Sequence, residues 1–170
     1  GFRKPLIQAL LDNGLEVHAA APELLANNKV VNELSAMGVT CHDAALSRTG
    51  MNPIADVKAM FALRRLMKEI KPDYFMGYTI KPVIYGNLAA WLAGVPHRFA
   101  LITGLGYTFI GGQSVKRKLV SKLAHTLYKT ALSKTHKAFF QNPDDEALFR
   151  ELGLLPKGTS SIVVNGSGVP

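Results

Sequence analysis

The stretch IKPDYFMGYTIKPVIYGNLAAWLAGVPHRFALITGLGYTF, from Ile70 to Phe109, reads as a strand, a helix and a second strand closed by a glycine-rich turn. Pro72 ends the preceding helix, and Asp73 leads into Tyr74-Phe75-Met76. This apolar run up to Gly77 alternates poorly, as a parallel strand buried on both faces does. Tyr78 to Pro82 is then expected as the loop at that strand's carboxyl end. Pro82 suits the first turn of a helix, Val83, Tyr85, Leu88, Ala89 and Leu92 give it an apolar face, Gly94 caps it and Pro96 forbids continuation. Arg98 to Thr103 is the next strand, which completes a βαβ unit. In open α/β sheets ligands gather beyond the carboxyl ends of the strands, so Gly77 to Lys81 and Thr103 to Phe109 are the candidate ligand loops.

Outward from this unit the alternation continues. Towards the N-terminus the pattern predicts a helix over Phe2–Asn13, a strand over Leu15–Ala20, a helix over Pro22–Met37 and a strand over Val39–His42. A polar connection, Asp43–Asn52, leads to a helix over Pro53–Lys71 with Met60, Leu63, Met67 and Ile70 on one face. Towards the C-terminus follow a helix over Ser114–Lys134, a strand over Thr135–Phe140, a helix over Pro143–Leu152 and a strand over Ser161–Val164. Asn165-Gly-Ser-Gly-Val-Pro170 has the composition of a linker. The fold class is therefore α/β, with a parallel sheet and helices on both of its faces.

The 170 residues are 48% apolar, which suffices for a sizeable core in one domain. The single cysteine, Cys41, leaves no internal disulfide and fits a reducing compartment. No apolar run reaches the ~18 to 20 residues of a membrane helix, and none reads as a signal peptide. The net charge of +8 is concentrated: Tyr74 to Pro143 holds nine Lys or Arg and no Asp or Glu, while the rest is nearly neutral. Such a segment points to an anionic partner, whether phosphate, nucleic acid or acidic lipid headgroups, or else to a solvated basic face. Within it, the helix over Ser114–Lys134 groups Leu119, Val120, Leu123, Leu127 and Ala131 as a core stripe. Lys118, Lys122, His125 and Lys129 take the opposite face.

Gly104-Leu-Gly106-Tyr-Thr-Phe109 lacks the third glycine of a dinucleotide fingerprint, which argues against an oxidoreductase. Its glycines still permit close backbone approach, and a strand-to-helix turn offers N–H groups to an anion. The five histidines are scattered without metal-ligand spacing, so no metal is expected. Asp144 and Asp145 are adjacent and suit a helix's first turn. No nucleophile elbow or Walker loop occurs.

Taken in order, Gly1-Phe-Arg3 through Pro22, Asn52-Pro53, Lys71-Pro72-Asp73, Lys81-Pro82, Gly86-Asn87-Leu-Ala-Ala, Ala93-Gly-Val-Pro96, Thr103-Gly-Leu-Gly106, Asn142 and Asn165-Gly-Ser-Gly168 resemble family 4 glycosyltransferases. The nearest likeness is to bacterial enzymes that add sugars to lipid-linked glycans. Thr103 stands where many relatives have histidine. The resemblance implies the N-terminal, Rossmann-like, acceptor-side domain of a GT-B fold over residues 1–164. Its first strand would precede Gly1, an interdomain linker would begin at 165–170, and a donor domain with an E-x7-E motif would follow. It implies a retaining, metal-independent hexosyltransferase with a nucleotide sugar as substrate and no cofactor, and inactivity of this segment alone. The acceptor would be a glycan or polyprenyl-linked sugar, met at the cytoplasmic face of the cell membrane, with no nucleic-acid partner.

By the same resemblance Tyr78, Thr79 and Lys81 fall on one cleft loop, Thr103, Gly104 and Gly106 on another, and Asn165, Gly166, Ser167 and Gly168 at the hinge. Lys81 and the loop N–H groups would meet phosphate charge, and Lys118, Lys122 and Lys129 would face acidic lipid. The alternative left by the residues alone is a non-catalytic basic α/β module for nucleic acid or another polyanion. Against it, the lysines are backed by aliphatic positions and offer no stacking platform.

Overall fold

The expected strands and helices are present in the chain, a computed structural model in which residues 3–47, 50, 52–104 and 114–164 are described. They are shared between two compact units, one reaching to Ala45 and the other starting at Leu46.

In the first unit, α1 (Lys4–Asp12) carries Pro5 in its first turn, where no N–H is needed, and buries Ile7. The strand expected from Leu15 starts later, as β1 (His18–Ala21), because the Leu15 N–H still bonds back to the Leu10 carbonyl at 3.2 Å. The helix expected over Pro22–Met37 is divided into a 3-10 turn at Leu24–Ala26 and α2 (Asn28–Ala36). Asn27 makes the break: its backbone is non-helical, and its side chain accepts the Val30 N–H at 3.2 Å as an N-cap. The strand β2 (Thr40–Asp43) then pairs parallel with β1, from His18 opposite Thr40 to Ala21 opposite Asp43. Ile7, Leu24, Leu34 and Val39 form the buried centre, with Val17, Val31 and Cys41 packed around it.

The second unit holds a four-stranded parallel sheet in the order β3 (Tyr74–Tyr78), β4 (His97–Ile102), β5 (Lys137–Phe140), β6 (Ser160–Val163). The helix α3 (Pro53–Ile70) precedes it, capped by the Asn52 side chain on the Ala55 N–H at 3.2 Å. Between β3 and β4 the helix begins at Ile80, widens to π geometry over Pro82–Gly86 and resumes as α4 (Asn87–Leu92). Two glycines let this helix lie directly on β3. A Cβ at Gly77 would stand 2.6 Å from the Pro82 carbonyl oxygen, and one at Gly86 would stand 2.5 Å from the Phe75 ring.

The helices α5 (Val115–Ser133) and α6 (Pro143–Glu151) complete the layer. Tyr128, Phe140 and Phe149 meet edge to face at its centre, with ring centroids 5.4 and 5.2 Å from that of Phe149. Arg98 fastens the start of β4, donating from Nε to the Lys134 carbonyl at 2.5 Å and from Nη1 to the Val95 carbonyl at 2.7 Å. Phe75, Ala100, Ala138 and Phe140 share the helix-bearing face of the sheet, whereas Tyr74, Met76 and Ile162 of the other face are exposed.

Candidate functional site

Two turns leave the adjacent parallel strands β3 and β4 at their carboxyl ends. Tyr78 closes β3 opposite Leu101, and Thr103 and Gly104 follow β4, so four of the expected cleft residues come to one end of the sheet. Thr79 carries a φ of 68°, a left-handed conformation that costs a β-branched residue on the order of 1–3 kcal/mol. Such strain persists only where the surroundings hold it, and here the Thr79 carbonyl accepts the Val83 N–H at 3.0 Å from the helix lying on β3. Gly104, at φ 145°, occupies a conformation open to glycine. Gly106 and the hinge candidates Asn165, Gly166, Ser167 and Gly168 lie outside the described residues.

Lys81 is not on a loop but in the first turn of the helix that starts at Ile80. Its Nζ donates to Asp56 Oδ1 at 3.0 Å and to Ser47 Oγ at 2.5 Å. The lysine and aspartate side chains are only 14% and 5% exposed, so their charges compensate each other away from bulk water. Asp56 sits in the first turn of α3, where the helix dipole also favours an anion.

Around this pair the chain forms a small recess, open to solvent, with free space for about a water or two. Asn52, Asp56, Lys81 and Tyr85 give it a polar floor, and Ile80, Ile84, Leu123 and Leu127 an apolar wall. Burial, and secondarily the Asp56 carboxylate, push the Tyr85 phenol up to about 12. It therefore stays neutral at any ordinary pH. Among the described residues that line it, Asp56 and Lys81 are the charged ones and they offset each other.

On α5, Lys118, Lys122 and Lys129 are exposed, as their phase predicts. The stripe expected to be core throughout is so only in its C-terminal half, where Tyr128, Ala131 and Leu132 are buried. Val115, Leu119 and Leu123 are 74, 63 and 43% exposed. The first turns of the helix thus present an apolar ridge beside Lys116, Lys118 and Lys122. Two of the scattered histidines do meet, with His18 Nδ1 2.9 Å from His42 Nε2.

Asp56, Ser47 and Tyr85 are the site residues that sequence reasoning missed. Asp56 had left a signal: it stands three, seven and eleven residues before Ala59, Leu63 and Met67, on the buried stripe of α3. An acid at such a phase has to find a partner.

Residues 1–142 match the family model described as glycosyl transferase 4-like, and the chain belongs to that family. It is 32% identical over 168 residues to the Campylobacter jejuni N,N'-diacetylbacillosaminyl-diphospho-undecaprenol alpha-1,3-N-acetylgalactosaminyltransferase, covering 99% of this chain and 43% of that protein. It is 32% identical over 115 residues to the Escherichia coli UDP-Gal:alpha-D-GlcNAc-diphosphoundecaprenol alpha-1,3-galactosyltransferase, covering 66% of this chain and 28% of that protein. The chain thus spans less than half the length of these relatives. Its fold is similar to that of Glycyrrhiza uralensis UGT73P12 in complex with glycyrrhetinic acid 3-O-monoglucuronide, with a TM-score of 0.52 and 11% identity over 98% of this chain and 45% of that one. At that identity the likeness is one of fold, and it agrees with the α/β, Rossmann-like reading.

Proposed function

We propose that residues 1–164 are the acceptor-side domain of a glycosyltransferase that moves a sugar from a nucleotide donor to a polyprenyl-diphosphate-linked acceptor. The observation that carries this reading is that Tyr78, Thr79, Thr103 and Gly104 gather at the carboxyl ends of β3 and β4, in a chain whose relatives are named for diphospho-undecaprenol acceptors. Residues 165–170 begin a linker to a donor domain, and the transfer is retaining and independent of metal. Among the described residues β3 is an edge strand of its sheet. Gly104, just after β4, supplies a backbone N–H to phosphate, and Lys81 is already compensated by Asp56.

The transfer assay is direct. Full-length polypeptide supplied with UDP-sugars and GlcNAc-diphospho-undecaprenol is expected to yield a disaccharide-linked lipid, and residues 1–170 alone to yield none. Turnover by the short chain would overturn the division of labour between domains. Absence of turnover by the full-length polypeptide across lipid-linked acceptors would overturn the reading itself.

The domain works at the cytoplasmic surface of the membrane through α5, whose exposed Val115, Leu119 and Leu123 ridge lies beside lysines with no acid among them. No described helix is long and apolar enough to cross a membrane. Replacing Lys118, Lys122 and Lys129 by Gln removes about 1 kcal/mol of headgroup attraction for each, so binding of the full-length polypeptide to phosphatidylserine vesicles is expected to weaken about a hundredfold. Unchanged co-sedimentation with those vesicles would sink this placement.

A further inference from the structure

We infer that α3 is a second membrane-contacting helix, whose outer stripe of Ile54, Lys58, Phe61 and Arg65 lies against anionic lipid. This rests on the membrane-surface reading above and adds a contact outside the acid-free segment. α3 turns Asp56, Ala59, Leu63 and Met67 inward. At about 100° per residue Ile54, Lys58, Phe61 and Arg65 fall on the opposite side. All four are exposed, Ile54 by 74% and Phe61 by 51%. A single exposed apolar side chain is ordinary. Here two of them stand two turns apart on one line, each followed by a cation one turn on. α5 carries a comparable line in Val115, Leu119, Lys122 and Lys129. The two helices belong to one unit and both pack on the helix between β3 and β4, where Asp56 of one and Leu123 of the other line the same recess.

The cations decide the partner. Lys58 and Arg65 make no hydrogen bond or ion pair among the described residues, in contrast to Lys81. Asp56, the only acid between Pro53 and Lys68, is buried on Lys81 and leaves the first turns of the outer face purely cationic. The core of a protein interface is depleted in lysine. A bilayer surface takes both kinds of residue at once: Ile54 and Phe61 enter the boundary between headgroups and acyl chains, while the Lys58 and Arg65 stems hold their charges at the phosphates. Glu69, exposed one turn beyond Arg65, ends the cationic stretch. The contact therefore runs from Ile54 to Arg65, about 16 Å along the helix.

The test compares variants of the full-length polypeptide in sedimentation with vesicles of phosphatidylserine and phosphatidylcholine. Ile54→Ser with Phe61→Ser is expected to bind at least about tenfold more weakly, since two apolar side chains no longer enter the interface. Lys58→Gln with Arg65→Gln is expected to bind about thirtyfold more weakly, through the loss of two headgroup attractions. All four side chains are exposed, so both variants are expected to melt close to the native protein. The photocrosslinker p-benzoylphenylalanine in place of Phe61 is expected to attach to lipid on irradiation. In place of Tyr74, exposed on the opposite face of the sheet, it is expected to attach to none.

Unchanged sedimentation of either pair, or cross-links from position 61 to protein alone, overturns the inference, and the latter would assign the stripe to a protein partner. The α5 placement fails separately. Weakened binding on neutralising Lys118, Lys122 and Lys129, with no effect at α3, leaves α5 as the contact and removes α3. An effect at both α3 pairs with none at α5 removes the α5 placement and keeps lipid on the α3 stripe.

Discussion

A Gly77→Ala substitution is expected to lower the thermal midpoint of the second unit by roughly 10 °C, through a loss of about 3 kcal/mol. The added methyl would meet the Pro82 carbonyl oxygen at 2.6 Å and its carbon at 2.9 Å, and both belong to backbone. No rotamer relieves that contact, so the helix has to lift from β3. Gly86→Ala meets only the Phe75 ring, which can turn aside, and is expected to cost less. Combining Gly86→Ala with Phe75→Ala should recover part of its loss relative to Phe75→Ala alone, whereas no side-chain truncation rescues Gly77→Ala. Gly158 offers a control, since a Cβ there meets nothing within 4 Å and its backbone is not in the left-handed region. Circular-dichroism melts of these variants decide the matter: equal midpoints for Gly77→Ala and Gly158→Ala would refute the close approach.

The second large effect is expected at the Asp56–Lys81 pair. Removing one partner leaves the other charge enclosed, at a cost of about 3 kcal/mol, whereas removing both with apolar residues of similar size is often close to neutral. Asp56→Leu and Lys81→Met are each expected to destabilise strongly, and their combination to melt closer to the native protein than either. The favourable end of the α3 dipole contributes less than this, up to about 1 kcal/mol for Asp56, so it does not rescue Lys81→Met. Strictly additive losses in urea unfolding would show that the two charges do not depend on each other.

The βαβ unit was legible because its boundaries are written in residues with one conformational meaning. Pro72, Gly94 and Pro96 end segments by steric necessity, and the segments between them have room for only one strand, one helix and one strand. Other features depend on contacts that periodicity does not encode. Asn27 and Asn28 read as polar positions within a helix, and only the capping bond to Val30 turns one of them into a boundary. The apolar residues of α5 have an unbroken phase, yet burial ends where its neighbours α4 and the π turn end, leaving Leu119 outside.

At the site, sequence reasoning placed Tyr78, Thr79, Thr103 and Gly104 at the carboxyl end of the sheet because chain direction alone settles that. It assigned Lys81 to phosphate because its partner is distant in sequence: Asp56 lies 25 positions away, outside the acid-free segment that drew attention to the lysine. A charge imbalance along the chain says little about compensation in space.

The π turn at Pro82–Gly86 has a consequence for the whole helix that carries it. In a regular α-helix Lys81 and Leu88, seven residues apart, would fall on nearly the same side, at about 100° per residue. One extra residue in the widened turn rotates everything after it by roughly 100°. The turn therefore acts as a gearbox between two halves with different duties: Lys81 reaches the recess, while Leu88, Ala89 and Ala90 all lie in the core. Asn87 sits at the change of gear, its amide donating to the Val83 carbonyl at 2.9 Å inside the protein. A sequence shorter by one residue here could still form a helix, but it would have to choose between a lysine facing the recess and a leucine facing the core.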